Sequence, residues 1–294
     1  MEKKNVLLLL LILGTAFWGI SFSVTKLAIG YGSPATFLFY RFLAATIVLS
    51  IVFWKHVVKL DLQSIKIGAL LAIPLFLGIH LQTLGIKYTT ASQSAFIAGT
   101  CVVIVPLLKL VLYRVNAPIK IWLAATVALA GLSVISIKEN FAVNTGDLYT
   151  IVGSFAFAFY LILVEKKAAL KSLVPTIVPM FATCAVLTFG VALADSDAIW
   201  MVENTQFWQG VAFCALFSTA FMYTISNIAQ RYISAERVAV IYLFEPVFGA
   251  IAAFFILGEH LSWRLILGGA LIFLATIISE LDLKSFFVRK KSLA

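Results

Sequence analysis

"VAVIYLFEPVFGAIAAFFILG", Val238 to Gly258, is an apolar run of 21 residues with one acidic residue, Glu245, and no basic one. It is long enough to cross the roughly 30 Å hydrocarbon core of a bilayer as a helix. Glu245 is followed directly by Pro246, which has no N–H to give a helix and bends it. A carboxyl group beside a helix breaker in the middle of such a run is costly in lipid. It is tolerated where the helix faces protein or a water-filled cavity.

The rest of the chain matches this stretch. Of 294 residues 62% are hydrophobic and 12% charged, and the mean hydropathy is +1.05. A soluble domain is nearer 45–50% apolar and about 25% charged. The composition therefore excludes a soluble enzyme or a nucleic-acid-binding domain. The net charge of +9 sits in short gaps between apolar runs, which reads as topology. Cys101, Cys184 and Cys214 all lie inside apolar runs and read as small packing residues, without disulfide or metal spacing. "MEKKNVLLLLLILGTAFWGIS" (1–21) begins like a signal peptide. It continues without a small-x-small cleavage site and reads as a retained first span.

Hydropathy predicts ten spans, at 5–27, 34–53, 65–85, 91–112, 118–137, 147–165, 174–194, 207–228, 237–257 and 262–281, separated by short turns such as "GYGSP" (30–34) and "NTGD" (144–147). Counted on this map, 17 of the 22 basic residues fall on the side that holds the N-terminus. Lys26, Lys87, Lys138 and Arg264 fall on the other, and Arg41 lies within a span. The positive-inside rule then predicts cytoplasmic N- and C-termini.

The chain also repeats itself. "KYTTASQSAFIAGTCVVIVPLL" (87–108) aligns with "RYISAERVAVIYLFEPVF" (231–248): Lys87 and Arg231 are offset by 144, Pro106 and Pro246 by 140. The first copy is thus about one helical turn longer. Lys26 and Lys166 match at 140, Pro34 and Pro175 at 141. The expectation is an all-α integral membrane protein of two five-helix repeats, residues 1–140 and 141–294. Five is odd, so the second copy enters the membrane inverted, an architecture of carriers with a site near the midplane.

The paired motifs "FWGISFSVTKLAI" (17–29), "FYRFLAA" (39–45) and "QTLGIKYTTASQSAFIAGTCVVIVPLL" (82–108) in one half, and "AQRYISAERVAVIYLFEPVFGAIAAFFILGEHLSWRLILGGALI" (229–272) in the other, resemble the EamA-type branch of the drug/metabolite transporter superfamily. The resemblance implies ten helices and a membrane carrier of amino acids or other small metabolites, often exported. "YRVNAPIKIW" (113–122) departs from the family pattern, which there more often has a Gly-Glu-like segment as at Gly258-Glu259. Glu259 is accordingly given no partner role in the first half.

Several intramembrane polar residues are candidates for a solute site. Glu245 lies eight residues after Arg237, about 12 Å into the membrane. It is either a protonatable group on the solute path, binding an amine or carrying a proton, or a structural carboxyl that is neutral or paired with a buried base. Pro246 is expected to leave the Tyr242 carbonyl without its partner. Arg41 either snorkels to the interface or points inward, to bind a carboxylate or pair with Glu245. Lys109, near a span end, reads as a snorkelling lysine. Polar and aromatic stripes at helical spacing add Trp18, Ser21 and Thr25 on the first span; Phe76, His80, Thr83 and Lys87 on the third; and Gln93, Ile97 and Thr100 on the fourth. The eighth contributes Thr219, Tyr223, Asn227 and Gln230, and the ninth Tyr242, Glu245 and Gly249. Each stripe is read either as solute contact or as interhelical hydrogen bonding. In the aromatic cluster "FAFAFY" (155–160) the Phe rings read as lipid-facing, with Tyr160 and Trp18 as candidate cavity walls.

No G-x-x-x-x-G-K-[ST] loop, nucleophile triad, H-E-x-x-H or metal cluster occurs in the sequence, so no cofactor or metal is expected and ATP is not the direct energy source. The reading is a non-enzymatic secondary transporter in a bacterial inner membrane, exporting amino acids or related metabolites by alternating access, with a solute, the lipid bilayer and protons as its partners. Uptake, a nucleotide-sugar or sugar-phosphate exchanger, a channel and an integral-membrane enzyme are the alternatives.

Overall fold

A computed structural model describes residues 3–136, 144–170, 172–258, 260 and 263–280. Lys138, Lys171, Glu259, Lys284, Arg289, Lys290 and Lys291 lie outside the described residues, as do position 137 of the fifth expected span, 262 and 281 of the tenth, and the expected repeat boundary at 140/141.

The described chain is helical, with no strand: α1 Lys3–Ala28, α2 Pro34–Val52, α3 Trp54–Val57, α4 Leu62–Tyr88, α5 Ala91–Ala98, α6 Cys101–Tyr113, α7 Ile119–Ser136, α8 Thr145–Leu170, α9 Val174–Ala194, α10 Thr205–Phe213, a π-helical segment Cys214–Phe221, α11 Met222–Ala229, α12 Ala235–Ile241, α13 Phe244–Leu257 and α14 Trp263–Glu280. Eight helical stretches are long and apolar enough to cross a membrane, and two shorter apolar stretches, Ile119–Gly131 and Ile266–Ser279, lie in α7 and α14. This is a multi-pass membrane protein. The hydropathy minima coincide with caps. Ser33 accepts from the Thr36 N–H ahead of Pro34, Asp61 from Ser64, and Thr90 from Gln93.

Three features depart from unbroken spans. The fourth divides into α5 and α6 at Gly99–Thr100, and the ninth into α12 and α13 at Tyr242–Leu243. At both divisions the backbone tightens to i→i−3 bonds, Thr100 N–H to Ile97 O at 3.0 Å and Leu243 N–H to Val240 O at 3.1 Å. The expectation of an unsatisfied Tyr242 carbonyl is therefore corrected. It accepts from the Glu245 N–H at 2.8 Å, because the tightened turn replaces the donor that Pro246 lacks. The third feature is the π segment within the eighth span.

Helices approach closely where glycines face each other. A Cβ on Gly19 of α1 would stand 2.6 Å from the Gly249 nitrogen of α13, and one on Gly153 of α8 would stand 2.9 Å from the Gly78 carbonyl oxygen of α4. These small-residue crossings let backbone pack on backbone where lipid supplies no hydrophobic driving force. They bring α1, α4, α8 and α13 together around one central space.

Candidate functional site: a central cavity

That space is a cavity of about 740 Å³, counting its open mouth. It is lined by Trp18, Ser21, Phe22 and Thr25 of α1; Arg41 of α2; Gly78, Ile79, Gln82, Thr83 and Ile86 of α4; Ala98, Gly99 and Cys101 around the α5–α6 break; Gly153, Ser154 and Phe157 of α8; Tyr223 of α11; and Ala239, Tyr242 and Glu245 around the α12–α13 break.

The π segment organises one wall. In an α-helix the Met222 N–H would bond to Ser218 O. Here it bonds to Phe217 O, and the Trp18 indole donates to Ser218 O at 2.6 Å. The same segment holds Arg41. Its Nε donates to Thr219 Oγ1 at 2.7 Å and its Nη2 to Ser218 Oγ at 3.0 Å. Arg41 is only 6% exposed. It does not snorkel, and among the described residues no carboxylate lies within 4.0 Å of it, so the expected alternative of an ion pair with Glu245 is not formed. Two of its five N–H groups are used by these hydroxyls, and the guanidinium borders the cavity.

Glu245 is 8% exposed and borders the same cavity from the first turn of α13. Its carboxyl group has no hydrogen-bond or ion-pair partner among the described residues, so the paired form of the structural reading finds no base, which leaves the neutral structural carboxyl and the solute-path readings. An aromatic cluster lines the same cavity. The Trp18 ring is 4.7 Å from Tyr242, 5.1 Å from Tyr223 and 5.7 Å from Phe157, centroid to centroid.

Of the expected residues, Trp18, Ser21, Arg41, Tyr223, Tyr242 and Glu245 thus meet at one cavity. Four stand outside its lining. Tyr160 and Asn227 hydrogen-bond to each other at 2.7 Å, one helical turn beyond Phe157 and Tyr223. Tyr160 is therefore beneath the cavity instead of walling it. His80 stacks on Phe76 away from the cavity, with centroids 5.4 Å apart. Gln93 sits in the first turn of α5, its N–H capped by Thr90. On α4 the lining face is turned by about one residue from the expected stripe. It runs through Gly78, Ile79, Gln82, Thr83 and Ile86, and Gln82 was missed for that reason. Phe157 was read as lipid-facing and lines the cavity, because α8 lies against α4 through Gly153. Cys101 was read as packing only and also lines it. The Thr219, Tyr223, Asn227 and Gln230 stripe is buried as expected.

Lys109 corrects another expectation. It does not snorkel. Its Nζ lies 2.7 Å from Glu165 of α8 and 2.7 Å from Glu236 of α12. Neither carboxylate was singled out from the sequence.

A bundle of apolar helices around a central polar and aromatic cavity is the form of a membrane carrier protein. The chain belongs to the EamA-like transporter family, whose profile matches residues 5–137 and again 144–281. It is a membrane transporter. It is similar to a protein of Archaeoglobus fulgidus described as an uncharacterized transporter, at 27% identity over 90% of this chain and 82% of that one. It is also similar to the uncharacterized transporter YyaM of Bacillus subtilis, at 25% identity over 94% of both chains. A protein of known crystal structure shares the fold with a TM-score of 0.74, covering 95% of this chain and 97% of that one at 14% identity.

Proposed function

We propose that the protein is a secondary transporter that moves amino acids or related small metabolites, most readily outward, by alternating access through the central cavity. The observation that carries this reading is that Arg41, without a carboxylate partner among the described residues, and the Glu245 carboxyl group border one cavity that Trp18, Phe157, Tyr223 and Tyr242 also line. A buried charge without a partner is expensive in a membrane protein. A solute with a carboxylate and an ammonium group offers each its complement. Among the described residues Arg41 is the one basic side chain in the lining, which favours a monoanionic group over the diphosphate of a nucleotide sugar.

Ten crossings in two inverted five-helix repeats, 1–140 and 141–294, are part of the proposal. The helix neighbours support it, because they are preserved when each expected span is exchanged with the one five later. The first packs on the ninth (α1 on α13), and the sixth on the fourth (α8 on α5 and α6). The third packs on the sixth (α4 on α8), and the eighth on the first (α10, the π segment and α11 on α1). The family profile matching each half and the helix breaks at Gly99–Thr100 and Tyr242–Leu243 favour the same symmetry. The excess of basic residues supports cytoplasmic termini in a cell membrane.

Solute counterflow in proteoliposomes, across a panel of amino acids and common metabolites, tests the reading. A saturable signal competed by unlabelled amino acid is expected. Flux that never saturates would make the cavity a pore. Transport confined to phosphorylated solutes would overturn the solute class.

A further inference from the structure

The Lys109 cluster lies toward one end of the bundle, and the cavity lining extends from mid-bundle toward the other. The lining runs from Trp18 to Thr25 on α1 and from Gly78 to Ile86 on α4, both toward the C-terminal ends of those helices. At the deep end the Tyr160–Asn227 hydrogen bond and the Ser226–Tyr242 hydrogen bond close the bundle beneath Phe157 and Tyr223. Glu165 lies eight residues beyond Phe157 on α8, about 12 Å further along. There Lys109 Nζ holds Glu165 and Glu236 at 2.7 Å each, with side-chain exposures of 13%, 22% and 6%. Next to them the Lys166 ammonium lies 3.1 Å from the centre of the Tyr113 ring. In both sets one member comes from α6 and its partners come from α8 or α12.

We propose that the Lys109–Glu165–Glu236 cluster is the gate that holds this end of the transporter shut while the cavity opens at the other. The inference rests on the carrier reading above. A carrier must part its two halves at one end at a time, and α6 belongs to one proposed half while α8 and α12 belong to the other. The cluster is an ionic contact that crosses that seam. A cation with two acceptors is suited to the role. It forms a strong charge-assisted clasp that is largely buried while closed, and water can take up the three groups when the helices separate. On the proposed orientation the clasp is cytoplasmic and the conformer faces outward.

The test is a distance between spin labels at Val111 of α6 and Leu170 of α8, both exposed, in protein lacking Cys101, Cys184 and Cys214 and held in lipid nanodiscs. Lys109→Gln is expected to enlarge the long-distance population about tenfold, and Lys109→Arg, which keeps the charge between Glu165 and Glu236, to leave it near the parent's value. An unchanged distribution in Lys109→Gln overturns the gate, and so does Lys109→Arg opening as far as Lys109→Gln. If Lys109→Gln does not give monodisperse protein, Glu236→Gln keeps the Lys109–Glu165 pair and is expected to shift the same way by less. No shift there is equally fatal. The readout uses no solute, so a gate that opens in protein without amino-acid counterflow would count against the proposed solute and not against the clasp.

Discussion

Arg41→Gln is the most informative single change. Arg41 gives one N–H to Thr219 and one to Ser218, and has no carboxylate partner among the described residues. Its loss removes two hydrogen bonds to hydroxyls. It also removes a buried, unpaired cation whose desolvation opposes folding. Inter-helix hydrogen bonds in membranes average only about 0.6 kcal/mol each, so stability is expected to stay close to the parent's. Binding is different. A solute carboxylate on this guanidinium makes charge-assisted bonds worth about 1.5–3 kcal/mol, which is about a 10- to 150-fold loss of affinity when the charge is gone. Counterflow with the best amino acid found for the parent measures this as a rise in half-saturation. The internal control is the decarboxylated amine of the same solute, which should bind parent and variant alike. Unchanged affinity for the amino acid would refute carboxylate recognition by Arg41. An equal loss for acid and amine would refute it as well, because the effect would then be one of cavity shape.

Glu245→Gln is expected to fold and to lose most transport, and any pH dependence of flux in the parent should flatten in the variant. Parental flux at every pH tested would remove Glu245 from the mechanism. Gly19→Ala places a methyl group 2.6 Å from the Gly249 nitrogen and 2.7 Å from the Glu245 carbonyl oxygen. It should cost about 1–3 kcal/mol by forcing α1 off α13, seen as a lower unfolding midpoint in detergent. Gly190, with nothing near its Cβ position, is the control that should tolerate alanine.

The helices were legible in the sequence because a membrane span is dictated locally. Enough apolar residues in a row must form a helix, and the span at 174–194 coincides with Val174–Ala194 of α9. Where α8 runs on to Leu170 past the expected 165, the reason is chemical. Glu165, Lys166 and Lys167 look like the end of a span, but Glu165 is held by Lys109 and Lys166 by Tyr113, so the helix continues through them. The cavity was half legible. Trp18, Ser21, Tyr223, Tyr242 and Glu245 follow from which face of an apolar helix carries polar groups. Gln82 and Phe157 do not, because a rotation of about one residue, set by glycine crossings with another helix, decides their neighbours. Arg41 and Lys109 show the limit most clearly. Each is a lone cation in an apolar run: Arg41 reads equally as snorkelling or as pointing inward, and Lys109, near a span end, reads as snorkelling. Arg41 turns inward because the π segment offers it Ser218 and Thr219, and Lys109 because Glu165 and Glu236 arrive from other helices. One buried cation has thus been matched with carboxylates of its own chain and the other has not. That difference is the basis on which the first is proposed as a clasp and the second as a group for a ligand.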